Sequence, residues 1–439
     1  MKRRTFLTTA LGAGITAPLA GCERTVDPAD TAPLTDTAPL TRARSDFSIY
    51  VPGYMTDAAR TRGGPVMADA RIARAVSSQD GPARLLTRIG QDGALTQAVL
   101  PVMAHQVAVA PDRGIGILCG FEARDQVAFD PVTLDMVAQS PAFAEGWRGG
   151  GHAVFLDQGR TTLLSERAPR RSAVDGDLAL QYGRITIRDS DTLRVRDSYS
   201  TYGIDPHDIR LIENDRYLVI ANYGSLPDVG GDLPVPRRVA EACVTVIEVA
   251  TGKLVDKWVT GRGDVELRHL ATGGRDRIFA IQARLGTEAA ESQAMRGYPT
   301  VYGPDITSEP GITYLSAPTL KIAAGRRPKA MGGAAETAGM RHGLSITYDA
   351  AHDQAIATYP SAHRVMVFDG ARGEVLHDID TSSNGLRYPC GVTLLPDGLH
   401  YAVSGYWENL FVYELGSHRL CRDLCLYPVF FGHSHITAA

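Results

Sequence analysis

Five histidines stand at the head of short runs of alternating apolar residues. They are His105 in Ala104-His105-Gln106-Val107-Ala108-Val109, His152 in Gly151-His152-Ala153-Val154-Phe155, His207 in Pro206-His207-Asp208-Ile209, His269 in Arg268-His269-Leu270, and His342 in Arg341-His342-Gly343-Leu344-Ser345-Ile346. Pro389-Cys390-Gly391-Val392 carries a thiol at the corresponding place, and Gly432-His433-Ser434-His435-Ile436 offers two imidazoles one residue apart. Imidazoles gathered with a thiol or a carboxylate suit a transition metal such as copper, iron or zinc. Neutral imidazole also moves protons near neutral pH. A histidine at the head of a strand can equally hydrogen-bond the next repeat and only fix a turn, and both readings stay open at the level of sequence. Of His433 and His435, one at most faces a given side of a strand.

The elements that position these residues are short strands in sets of four. The sets begin at 105, 152, 207, 269, 342 and 390, so the intervals between them are 47, 55, 62, 73 and 48 residues. Four strands per repeat of about 40–50 residues is the pattern of a β-propeller, with insertions where the interval is longer. Turn phrases recur after the third strand, at 130–134, 249–252 and 370–373. A further set is split: runs at 47–51, at 71–76 or 83–89, and at 95–102 lack a His-led first strand, and the last residues of the chain supply one. The fold expected is all-β, a seven-bladed β-propeller whose ring is closed by the C-terminal strand completing the first blade. Closure of that kind removes exposed sheet edges.

In a propeller the first strand of each blade lines the central channel. The heads of these strands therefore meet at one rim, which gathers His105, His152, His207, His269 and His342 with Cys390 and with His433 or His435. Second strands end at the same rim, which adds Glu166, Asn222 and Gln282, with Glu166 the best placed as a ligand or base. Insertions at 167–183, 224–243 and 283–310, and the segment 324–341, fall on that face. Glu266 and Arg268 are read either as partners of the channel residues or, more simply, as charges of a solvated turn. Among the cysteines, Cys119 and Cys243 lie in apolar runs and read as buried thiols. Cys421 and Cys425 can pair only if the chain bends between them.

Other chemistries are poorly supported. The chain has 439 residues and a formal net charge of −4, with no basic patch that would argue for nucleic acid. It has no phosphate-cradling glycine loop after a strand, no Ser/His/Asp arrangement of recognisable spacing, and no CxxCH for covalent haem. Residues 1–22 read as an address: Lys2-Arg3-Arg4-Thr5-Phe6-Leu7 is a twin-arginine opening, and Leu19-Ala20-Gly21-Cys22 a lipobox in which Cys22 is acylated. Residues 23–44 are a flexible tether containing the repeat Asp-Thr-Ala-Pro-Leu-Thr, and 45–439 the folded domain. The expectation is a periplasm-facing lipoprotein exported folded, held to the membrane through its lipid anchor alone.

Paired motifs carry a family resemblance over roughly residues 45–430. Gly151-His152-Ala153-Val154-Phe155 goes with Leu163-Leu164-Ser165-Glu166, and Ile204-Asp205-Pro206-His207-Asp208 with Val219-Ile220-Ala221-Asn222-Tyr223-Gly224. Arg268-His269-Leu270-Ala271 goes with Ala280-Ile281-Gln282, and Cys390-Gly391-Val392 completes the series. In these the chain resembles domain-of-unknown-function family 1513, bacterial envelope proteins expected to be seven-bladed propellers. Glu-Arg at 166–167 stands where the family pattern leads one to expect Glu-Asn, and Asp208 where Glu is usual; both keep an acidic group. The resemblance implies a twin-arginine-exported protein found beside imelysin-like iron-uptake proteins and a di-haem oxidoreductase-like protein, hence a role in envelope iron handling. Three functions are compatible with these residues: a metal ion or metal-bearing partner bound at the His-lined mouth in iron acquisition, a metal-dependent propeller enzyme of lactonase or oxidoreductase type, and an interaction scaffold with structural histidines.

Overall fold

Runs of five to eight residues that alternate apolar and polar, punctuated by Asp, Gly and Pro, can bury one face only by stacking sheet on sheet. This chain does so around an axis. The computed structural model describes residues 47–55, 83–102, 104–121, 123–169, 178–226, 238–287, 312–406, 408–430 and 435–439. The address, the tether, the run at 71–76, His433 and most of the three long insertions lie outside the described residues. Ser45–Ala439 form one compact unit.

The described residues make seven antiparallel blades of four principal strands, and each inner strand packs beside the inner strand of the next blade around the ring. The inner strands are Thr437–Ala438 in blade 1, Ala104–Ala110 in blade 2, Arg148–Leu156 in blade 3 and Pro206–Ile212 in blade 4. Blades 5 to 7 contribute Val265–Thr272, Ile346–Asp349 and Pro389–Leu394. Blade 5 carries an extra strand, Ile312–Leu315, and a two-stranded hairpin, Ser225–Leu226 with Arg238–Val239, stands beside blade 4. The described residues contain no helix long and apolar enough to cross a membrane.

The turns after the third strands repeat one device. Asp130 Oδ1 accepts the backbone N–H of Val132 (2.7 Å) and Thr133 (2.9 Å), and Asp369 Oδ1 accepts that of Arg372 (2.7 Å). A residue with left-handed φ then closes each turn: Leu134, Gly252 and Gly373 at the three phrases read in the sequence, and Leu193 at a fourth.

Cores lie between blades. Val219, Ala221, Val244 and Val246 of blade 4 pack on Leu267, Leu270, Ile278 and Ala280 of blade 5. Ring closure follows the sequence expectation. Ile49 and Tyr50 pair with Ala438 and Thr437, and Ser48 and Ala439 exchange backbone hydrogen bonds of 2.8 and 3.0 Å. Ile436 is buried with Phe47, Ile49 and Val51 of blade 1 and Leu395, Ala402 and Leu410 of blade 7, so one side chain joins both ends of the domain.

Truncating that side chain tests the closure. Ile436→Ala should cost about 2–4 kcal/mol in urea unfolding, the range for a buried Ile-to-Ala change. Leu424→Ala, at a half-exposed site, should change little; equal effects would mean the ring does not depend on its closing segment.

Candidate metal centre

The inner strands share an irregularity that no local pattern announced. In blade 2, Ala104 pairs with Gly120 and Gln106 with Cys119, which leaves His105 as an extra residue. Comparable slips lie between Gly149 and Ala153, Pro206 and Ile209, Leu267 and Leu270, and Pro389 and Val392. Five inner strands thus bulge at the same level. A bulge breaks strict alternation and re-aims side chains, which here frees consecutive residues for the channel. His207 joins the histidine group, and Asp208, the next residue, reaches His152 of the neighbouring blade, with its Oδ1 3.0 Å from His152 Nδ1.

Two glycines make the space. Gly151 has φ +100°, and a Cβ there would stand 3.0 Å from His105 Cδ2 and 3.2 Å from His207 Cε1. At Gly391 a Cβ would lie 2.7 Å from the backbone nitrogen of Ile436 and 3.1 Å from His435 Cα. Blade 7 therefore contributes no side chain at that point, and the closing segment brings His435 alongside it. The His435 ring lies 4.1 Å from His105 and 4.6 Å from His269 between centroids.

His105, His152, His207 and His269 are buried and each offers a nitrogen, the four lying within 4.8 Å of one another. Three of them meet by Nε2: His207 to His269 is 3.1 Å, and His269 to His152 is 3.1 Å. Their outer nitrogens decide the proton positions. His207 Nδ1 is 2.6 Å from the carbonyl of Gly150, an acceptor only, so Nδ1 carries the proton and Nε2 is bare. His152 Nδ1 faces the Asp208 carboxylate, so its Nε2 is bare as well. His269 Nε2 can donate to one of the two; with its proton on Nδ1, which has no partner among the described residues, all three Nε2 lone pairs face one another. A metal resolves the conflict: with metal–nitrogen distances of 2.0–2.1 Å, neighbouring ligand nitrogens stand about 2.9–3.4 Å apart.

The electrostatics favour the neutral rings that coordination needs. Burial holds His207 and His269 well below the usual histidine range, reinforced for both by His152 and His435 and for His269 by His207 as well. His152 is also lowered by burial, although Asp208 pulls it up. Burial alone would raise Asp208, but Arg210 and His152 reverse that and bring it down to about 2. Asp208 also accepts from the backbone N–H of Leu270 (2.8 Å) and from Arg210 (3.1 Å). It is an ionised carboxylate behind a candidate ligand, the arrangement that orients metal-binding histidines. Phe121 and Tyr223 wall the group, their rings 5.1 and 4.4 Å from His207.

Beyond His152, His269 and His435 the channel continues as a cavity of about 250 Å³ that also touches Arg210, Thr272 and Thr347. Its walls are inner-strand residues that follow the histidines, so this space lies on the side away from the strand heads.

The other residues picked from the sequence lie elsewhere. His342 precedes the inner strand of blade 6 at a left-handed φ of 60°, and its ring stacks on Tyr314 at 3.8 Å. Its Nε2 accepts from Arg268 at 3.1 Å and its Nδ1 meets the Tyr388 hydroxyl at 2.8 Å, so both nitrogens are used away from the four-histidine group. Glu166 is fully buried but its oxygens take Arg188 (2.6 Å), Thr186 (2.8 Å) and the backbone N–H of Phe143 (2.6 Å). It is an ion-pair partner within blade 3, where Arg188 reaches on to Ser140 and Pro141 of blade 2, and not a channel base. Asn222 is buried against Thr245, with Nδ2 to Oγ1 3.2 Å, and Gln282 donates to the carbonyl of Pro318. Cys390 is buried but stands outside the four-histidine group.

Glu266 and Arg268, read as a solvated turn, are instead a buried pair at 2.9 Å inside the inner strand of blade 5. Arg268 also meets Tyr314, and Glu266 accepts from Ser225. Cys119 and Cys243 are buried thiols as expected, and burial pushes Cys243 up to about 12. Cys421 and Cys425 flank a turn of 3-10 helix as free thiols. Asp208 and Arg210 were not singled out as site residues; the signal was an acidic residue directly after a strand-head histidine.

Residues 99–298 match the family described as "Protein of unknown function (DUF1513)". The motif resemblance is borne out over that span. It contains all four grouped histidines and Asp208 and ends before His342, Cys390 and His435. No curated protein matches the chain. Among solved structures, the chain is similar to hydrazine synthase of Kuenenia stuttgartiensis, at 15% identity over 76% of this chain and 90% of that one, TM-score 0.49. It is also similar to a functionally unknown protein from Desulfotomaculum acetoxidans DSM 771, at 11% identity over 70% of this chain and 78% of that one, TM-score 0.44. A third is the β-propeller domain of Cps50 (Swd1) from Myceliophteria thermophila, at 12% identity over 61% and 69%, TM-score 0.39.

Two measurements check these assignments. Arg188→Met leaves Glu166 buried without its cation, and should cost about 3–5 kcal/mol in urea unfolding while leaving metal content unchanged; loss of metal would restore Glu166 to the site. Metal-free protein should lose stability as pH falls from 7 to 5. The buried histidines have folded pKa values below the unfolded 6.5, so the unfolded chain takes up protons first, and stability present above that pH is lost below it. A flat urea midpoint across that range would contradict neutral burial of the rings.

Proposed function

We propose that this propeller binds one transition-metal ion in its central channel, on Nε2 of His152, His207 and His269 with His105 completing the set. The observation that carries the reading is the meeting of three buried Nε2 atoms, two of them stripped of a proton by Gly150 and Asp208. An all-imidazole donor set suits copper, zinc or iron and offers a hard ion such as magnesium or calcium little. The chain's own contribution is to hold the rings neutral, fix the tautomers of His207 and His152 and bury the group.

The role we assign is envelope metal handling, in iron acquisition. The protein would be exported folded by the twin-arginine route, tethered through an acylated Cys22 on the periplasmic side of a membrane, and would work with imelysin-like or other envelope iron-uptake proteins. The Lys2-Arg3-Arg4 opening, the lipobox and the family resemblance support this setting. Export in the folded state fits a buried centre, because an ion enclosed by four blades is loaded as the ring forms.

Metal analysis of the full chain exported by its own leader is the test. Near-stoichiometric copper, iron or zinc is expected in the wild type and its loss in His152→Ala/His207→Ala, with far-UV circular dichroism unchanged. Asp208→Asn should weaken binding about 10–100-fold. Wild-type protein that takes up none of the three metals, even after reconstitution, would overturn the proposal.

A further inference from the structure

The charges around the histidine group do not balance a bound cation. The imidazoles are neutral. Asp208 supplies one negative charge and Arg210, at 3.1 Å, cancels it. The other nearby ionised groups are already paired, Arg167 with Asp205 and Arg268 with Glu266. A divalent ion on the histidines would therefore keep its full charge in a buried site, where an uncompensated charge is strongly unfavourable. A cationic guanidinium beside it makes the imbalance worse.

The cavity supplies a remedy. It begins at His152, His269 and His435 and is lined by Arg210, Thr272, Thr347 and Thr393. Arg210 gives Nε to the carbonyl of Leu270 (3.1 Å) and Nη2 to Asp208. Its Nη1 has no hydrogen-bond partner among the described residues. A guanidinium held by two anchors, with donors to spare, is suited to a planar oxyanion. At about 250 Å³ the cavity is the size of roughly eight waters at 30 Å³ each. That admits carbonate or a small carboxylate with some hydration.

We propose that metal binding is coupled to a small oxyanion, carbonate or a simple carboxylate, which enters the channel from the side away from the strand heads and sits between the metal and Arg210. The inference rests on the metal reading above and deepens it. The anion completes the charge, and metal and anion each raise the other's affinity, since coupling between two sites is reciprocal.

The full chain loaded with Cu²⁺ tests this. Azide, added as a probe, should produce a saturable absorption change, and carbonate and acetate, titrated separately, should compete with it; the stronger competitor identifies the natural class. Removing carbonate from the buffer should weaken copper binding about tenfold or more, the worth of a charge-assisted contact. Arg210→Lys keeps the charge but loses the fork, and should weaken azide binding about tenfold. Thr347→Leu/Thr393→Leu fills the channel from blades 6 and 7, whose inner strands supply no histidine to the group, and should abolish the azide response and weaken copper binding about as much as removing carbonate does. Copper that binds stoichiometrically with no azide response and no dependence on carbonate would overturn the coupling and leave the metal site standing. A wild type that binds no copper, iron or zinc would overturn the metal reading, and the coupling with it.

Discussion

Three imidazole Nε2 atoms brought together in a buried channel are the constraint on which the centre depends. The outer nitrogens of His207 and His152 are committed, to a backbone carbonyl and to a carboxylate, so their inner lone pairs face His269 Nε2. In water such a contact would be relieved by solvent. Here Phe121, Tyr223 and Gly151 pack against the group on one side, and the contact persists unless a cation or a proton intervenes. Burial makes the proton the poorer answer, because an imidazolium in this place would lose its hydration and repel Arg210.

The ring architecture exists to hold that meeting. Asp208 belongs to blade 4, yet it touches His152 of blade 3 and accepts the backbone N–H of Leu270 in blade 5. One carboxylate thus sets the relative position of three blades at the level of the candidate ligands. His435 extends the same logic to the closing segment, since the pairing that shuts the ring also delivers an imidazole to the group. Closure and site assembly are one event in this fold.

Charge is handled differently away from the channel. Glu166 with Arg188 and Glu266 with Arg268 are buried pairs whose remaining donors and acceptors are met by Thr186, Ser140, Tyr314 and backbone groups. Such pairs contribute little net stability but are costly to break, which suits surfaces where successive blades must meet in one register. His342 serves the second of these networks. It precedes an inner strand as the other histidines do, but its ring accepts from a guanidinium.

Much of the architecture was legible in the chain itself. Strand sets at intervals of 47 to 73 residues, turn phrases after third strands and a His-led ending imply a closed seven-bladed ring, because period-2 alternation and turn chemistry act locally. The strand-head histidines were legible for the same reason, and so was their convergence on the channel. Sequence could not separate His342 from the other four, nor join Glu166 to Arg188, because both depend on which neighbouring strand or blade a side chain meets. Asp208, Arg210 and the buried state of Glu266 and Arg268 were hidden by the bulges. One extra residue in a strand reverses which side chains face the channel, and nothing in the local alternation records it. The sequence by itself determined the repeat, the ring and the residue types offered to the axis. Tertiary structure alone decided which of them share a site, since that depends on distances across blades that no local pattern encodes.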